Sequence, residues 1–120
     1  MGKRSRRRGQ EVMPDAPESA YTSPTGDVLT LRGAMTVATR QEYAALGGSA
    51  AAGAEDIWQR RVEFLFERLA VRWELAGAEP LVRQKELLGR YRFASADERR
   101  WIRDALREHL AEWFPDVEAP

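Results

Sequence analysis

From Glu55 to Ala76 apolar residues recur at helical spacing for about six turns, until Gly77 and Pro80 stop the pattern. On a helical wheel at about 100° per residue, Trp58, Val62, Leu65, Phe66, Leu69, Trp73 and Ala76 share one broad face. Such a face has to be buried. A narrower stripe of Ile57, Phe64, Val71 and Leu75 lies well round the cylinder. Arg61, Arg68 and Arg72 run between the two, and Glu63, Glu67 and Glu74 take the solvated side. A helix apolar in two directions is either central in its own fold or shared with another chain. The sequence therefore predicts a helix over 55–76, with the second stripe and its arginines as the surface for a partner protein or a second copy. The monomer alternative has that stripe covered by Val28, Leu29 and Leu31 or by Tyr43 and Leu46.

The rest of the chain is expected to close round this element. At 120 residues, with 43% hydrophobic and 32% charged residues and four Trp, one packed domain is the natural outcome. Tyr21 to Ser23, the turn set Pro24 to Asp27, and the β-favouring run Val28 to Arg32 predict a short hairpin. Two strands alone are marginal in water, so the hairpin must lie on a helix or pair with another edge. Thr36 or Thr39 can cap a short helix carrying Tyr43 and Leu46, with Thr39 and Glu42 at capping-box spacing. An Ala- and Gly-rich connector follows over 49–53. Pro80 suits the first turn of a helix presenting Leu81, Gln84, Leu87, Leu88 and Tyr91. Ser95 and Glu98 predict a capping box on a last helix, from Ala96 to the break at Pro115, with Ile102, Ala105, Leu106, His109, Leu110 and Trp113 inward. The expected fold is mainly α: three main helices and one short one with an amino-terminal hairpin. It divides into a disordered basic arm over 1–19, one domain over 20–115 and a frayed end over 116–120.

Charge is unevenly distributed. Lys3, Arg4, Arg6, Arg7 and Arg8 precede any acid, and 19 basic residues less these five leaves 14 against 19 acidic. The body would repel nucleic acid, and the arm would attract polyanions without reading sequence. No base-reading module accompanies it. Arg68 and Arg72, like charges four apart, require acids opposite; Asp104, Glu108 and Glu112 in the same chain, or an acidic partner, would supply them.

Catalytic materials are sparse. Cysteine is absent and His109, the one imidazole, falls in an apolar stripe where a packed histidine with one hydrogen bond is expected. Asp104, Glu108 and Glu112 form a carboxylate ridge, expected to be solvated rather than metal-bound, and no cofactor or metal is expected. No apolar run can span a bilayer, and the basic start lacks the apolar core of a secretory signal, so a cytoplasmic location is expected. The preference for Arg over Lys, with abundant Ala and Gly, suggests a GC-rich bacterial coding sequence. The order of a strand pair, a short helix with Arg40 to Tyr43 near its start and a Trp-bearing helix followed by two more is similar in layout to the small tail-assembly chaperones of bacteriophages. That resemblance carries no residue roles. The function expected is a non-catalytic adaptor or assembly factor; the alternative is a nucleic-acid-associated protein using the basic arm.

Overall fold

The computed structural model describes residues 16–46 and 53–120. The chain runs β1 (Glu18–Thr22), β2 (Val28–Arg32), α1 (Val37–Ala45), α2 (Ala54–Leu69), β3 (Ala70–Glu74), α3 (Gln84–Arg92) and α4 (Ala96–Trp113). The strands form one antiparallel sheet in the order β1-β2-β3.

The 55–76 helix of the sequence reading is thus two elements. It stops at Leu69, and Ala70 turns directly into extended backbone (φ −71°, ψ 125°). Helix and strand periods coincide here, because Leu69 and Trp73 lie four apart and point inward under either reading. Tertiary pairing decides between them. Leu29 lies opposite Trp73 and Thr30 opposite Arg72, so β3 completes the ladder of a hairpin that would be marginal alone. Leu31 pairs with Ala70, which leaves Val71 as the extra residue of a bulge. Over the described residues the fold is therefore mixed, with four helices and three strands, rather than mainly α with a two-stranded hairpin. The positive φ expected of Gly77 is present at 83°. It serves a turn closed by the Ala78 N–H on the Leu75 carbonyl, not a helix cap.

Leu81, expected in the third helix, exchanges two backbone hydrogen bonds with Trp73 (2.9 and 3.0 Å), and α3 starts only at Gln84. The hairpin turn is tied to the same region, since Asp27 Oδ1 accepts the Ala76 N–H at 2.8 Å. Leu29, Leu31 and Trp73 are fully buried with Leu65, Phe66 and Leu69 of α2, Tyr91 of α3, and Ile102, Leu106 and Leu110 of α4. Phe66 meets Trp73 edge-on at 5.4 Å and stacks on Tyr91 at 4.9 Å, geometries that add to area burial. Both expected bonds of the Ser95–Glu98 capping box are formed. Thr36, not Thr39, caps α1, accepting the Thr39 N–H, and Glu42 is turned instead toward Arg68.

Both ends of the domain extend beyond the expected boundaries. Glu18 and Ser19 belong to β1, and Ser19 Oγ accepts the indole N–H of Trp113 at 3.0 Å. The 116–120 segment is docked rather than frayed: Val117 and Ala119 pack on the core and Pro120 is buried. The physical reason is alternation, because its apolar residues face inward while Asp116 and Glu118 face solvent. The basic residues 3–8 and the connector residues 49–52 lie outside the described residues.

Candidate functional site

The flank where α1 meets α2 brings several charged and aromatic side chains together. Arg61 of α2 is only 8% exposed. Its guanidinium sits 5.1 Å from the centroid of the Tyr43 ring of α1, a cation–π contact strengthened by exclusion of water. Nη2 lies 3.3 Å from the Glu118 carboxylate, and Nε is buried without a hydrogen-bond partner among the described residues. One helical turn before Tyr43, Arg40 stands 5.3 Å from the Phe114 ring centroid and 3.6 Å from the Asp116 carboxylate.

Arg40, Tyr43 and Arg61 on one side and Asp116, Val117 and Glu118 of the chain's own 114–120 segment on the other line a depression of about 390 Å³. The segment starts with a turn, the Val117 N–H donating to the Phe114 carbonyl, and then passes back over α4. There Arg103 and Arg107 both donate to the Pro120 backbone oxygen, at 3.1 and 2.5 Å. Arg103 is itself held 4.3 Å over the Trp58 ring. The Tyr43 hydroxyl donates to the Glu118 carbonyl, and burial pushes that phenol up to about 12, so it remains a donor at any ordinary pH. Four arginines therefore converge on one short acidic segment.

The partner-binding residues expected from sequence are divided by the break in the helix. Arg61, Phe64 and Arg68 remain together on α2. Phe64 is half-buried, tilted against Tyr43 at 6.1 Å and covered by Arg68 at 4.4 Å. The short helix thus covers that part of the stripe, as the monomer alternative requires. Ile57 is half-buried near the start of α2, whereas Val71, Arg72 and Leu75 belong to β3 and the turn after it. The arginine ridge is dissolved with them. Arg68 pairs with Glu42 at 3.1 Å and Arg72 with Glu74 at 3.7 Å, while Asp104, Glu108 and Glu112 stay exposed on α4 and meet neither arginine.

No family model, curated protein or solved structure matches this chain.

A second, wider depression of about 770 Å³ separates the hairpin turn from the start of α4, with Pro24 and Trp101 on its walls and Asp97, Glu98 and Asp104 at its edge. Its one base, Arg100, is paired with Asp97 at 2.9 Å. Among the described residues no three ligating side chains converge on a point, and no helix is long and apolar enough to cross a membrane. His109 is fully buried and makes two hydrogen bonds rather than the one expected, to Tyr21 and to the Arg32 carbonyl. Neither ring nitrogen is available to a substrate.

Sequence reading missed Arg40, Tyr43, Arg103, Arg107 and the tail as parts of one site. A signal was present in the tail, where Asp116, Val117, Glu118 and Ala119 alternate acid with apolar between Pro115 and Pro120. That is the period of a half-buried extended chain.

Proposed function

We propose that the protein is a non-catalytic protein–protein interaction module, a small adaptor or assembly factor, working through the α1–α2 flank. The observation that supports this is Arg61. A nearly buried guanidinium carries a desolvation cost of several kcal/mol, on the order expected for any buried ion, and a structural role would call for a full set of acceptors. Here one nitrogen has none among the described residues, and the counter-ion is a largely exposed carboxylate. Arg40 and Arg68, both partly exposed, extend the same surface over the aromatic rings they cover, and such charged rims over aromatic groups are common at contacts with other proteins. A cytoplasmic setting belongs to the same proposal, in keeping with a chain that has no cysteine.

The test is differential capture from extract of the source cells, with wild type, Arg40→Glu and Arg68→Glu as baits. A protein retained by wild type and lost from both variants, whose circular dichroism is unchanged, supports the flank as the working surface. Equal capture by all three overturns it.

A further inference from the structure

The 114–120 segment lies on the flank as a ligand would. Asp116 and Glu118 each meet one arginine, and the backbone oxygens of Glu118 and Pro120 accept from Tyr43, Arg103 and Arg107. Its attachment is uneven: Phe114 is buried in the core and Val117 and Ala119 pack on it, whereas the acidic side chains are loosely held. The Asp116 and Glu118 side chains are 77% and 76% exposed, so their ion pairs are screened by salt and individually weak. Arg61, in contrast, is fixed in the groove, and loss of Glu118 would leave it a buried cation without an anion. A permanent cation facing a detachable anion favours exchange of one carboxylate donor for another of the same chemistry.

We propose that the groove binds an acidic segment of a partner protein, bearing two carboxylates two residues apart about an apolar residue, and that the chain's own 114–120 segment is its built-in competitor. This rests on the interaction role proposed above. The partner's carboxylates replace Asp116 at Arg40 and Glu118 at Arg61, and its backbone oxygens take the donors of Tyr43, Arg103 and Arg107. Phe114 stays in the core, and the displaced stretch after it leaves with its two charges solvated and gives up the packing of Val117 and Ala119. The apparent affinity for the partner is then the intrinsic affinity reduced by the fraction of molecules whose groove is open.

The experiment uses a fluorescently labelled peptide copying residues 114–120, with anisotropy measured against the full chain and against the full-chain double variant Asp116→Lys, Glu118→Lys. Binding about tenfold tighter to the variant is expected if the groove is open in about a tenth of wild-type molecules, and adding Arg61→Met to the variant should abolish it. Equal affinity for wild type and variant overturns the competitor role and leaves the interaction flank standing. Absence of binding to both, with circular dichroism unchanged, overturns the acidic-segment proposal, and the capture experiment with the Arg40 and Arg68 variants decides the flank separately. Should the charge reversal disturb folding, Glu118→Gln removes one pair without changing shape. Tighter binding than wild type supports the proposal, and equal or weaker binding overturns the competitor role.

Discussion

The hydroxyl of Tyr21 lies 2.8 Å from Nδ1 of His109 and joins the edge strand to the last helix. On the other side of the ring, Nε2 is 2.9 Å from the Arg32 carbonyl, which can only accept. Nε2 therefore carries the proton, and Nδ1 accepts from Tyr21. The Arg32 bond is open to either form of the ring, and the bond accepted from Tyr21 belongs to the neutral one.

A pH dependence follows from this pair. Burial depresses the His109 pKa below its ordinary value, outweighing the opposing effects of the Arg32 hydrogen bond and Glu112. In the unfolded chain the ring titrates near about 6.5. Below that value the unfolded state binds a proton that the folded state refuses, so the contribution is intact above pH about 6.5 and is lost as pH falls toward the folded pKa. Urea denaturation at pH 7.5 and 5.5 should show lower stability at the acid value, and His109→Gln should reduce that difference. An unchanged difference in the variant would assign the acid sensitivity to other groups.

The strand reading of β3 has its own test. Trp73 is fully buried against Phe66, with backbone hydrogen bonds to Leu81. Trp73→Ala should cost about 3–5 kcal/mol, measured by denaturant titration, as other large aromatic truncations do. In a continuous helix Trp73 would also be buried, so a second measurement is required. Contacts between backbone protons of Leu29 and Trp73 in an NMR spectrum are expected from the ladder and are impossible in a helix over 55–76.

That ambiguity marks where the sequence was legible and where it was not. Most of the broad apolar face held: Val62, Leu65, Phe66, Leu69 and Trp73 are buried, while Trp58 is half-buried and Ala76, beyond the strand, is exposed. The capping box at Ser95 was local and chemically specific and is present, whereas Gly77 has the positive φ expected of it but closes a turn instead of capping a helix. The switch at Ala70 was hidden because a four-residue spacing satisfies both periods, and only the unfilled edge of β2, a tertiary fact, selects the strand. The candidate site was less legible. Arg61, Phe64 and Arg68 were singled out as a stripe on one helix, yet what assembles them is Tyr43 on a different helix and Glu118 at the far end of the chain. No short-range pattern encodes a contact between residues 61 and 118.

Two glycines should respond in opposite directions to the same substitution. Gly89 lies inside α3 with open space where a Cβ would be placed, so Gly89→Ala should stabilise by about 1 kcal/mol through helix propensity. Gly77 also has open space, but its φ of 83° is one that L side chains rarely adopt. Gly77→Ala should therefore destabilise by about 1–2 kcal/mol from backbone strain alone. Thermal melts of the two variants beside wild type give the comparison, and a loss in Gly89→Ala would mean that α3 is not helical at that position.

Arg61 allows stability and binding to be separated in one side chain. Its guanidinium lies over the Tyr43 ring, while its charge is balanced by one exposed carboxylate and its Nε, among the described residues, by nothing. Replacing a buried ion by an apolar residue of similar length removes the desolvation cost and keeps the packing, a change that is often neutral or stabilising by about 1–4 kcal/mol. Arg61→Met should accordingly unfold at the same denaturant concentration as wild type or a higher one. Arg61→Ala, which also leaves a void under Tyr43, should unfold at a lower one. If instead Arg61→Met is as unstable as Arg61→Ala, the guanidinium holds the fold together and its burial is structural. If Arg61→Met is stable and the charge-reversed tail variant loses peptide binding on acquiring it, the arginine is retained for the carboxylate it receives, at the expense of the stability its replacement restores.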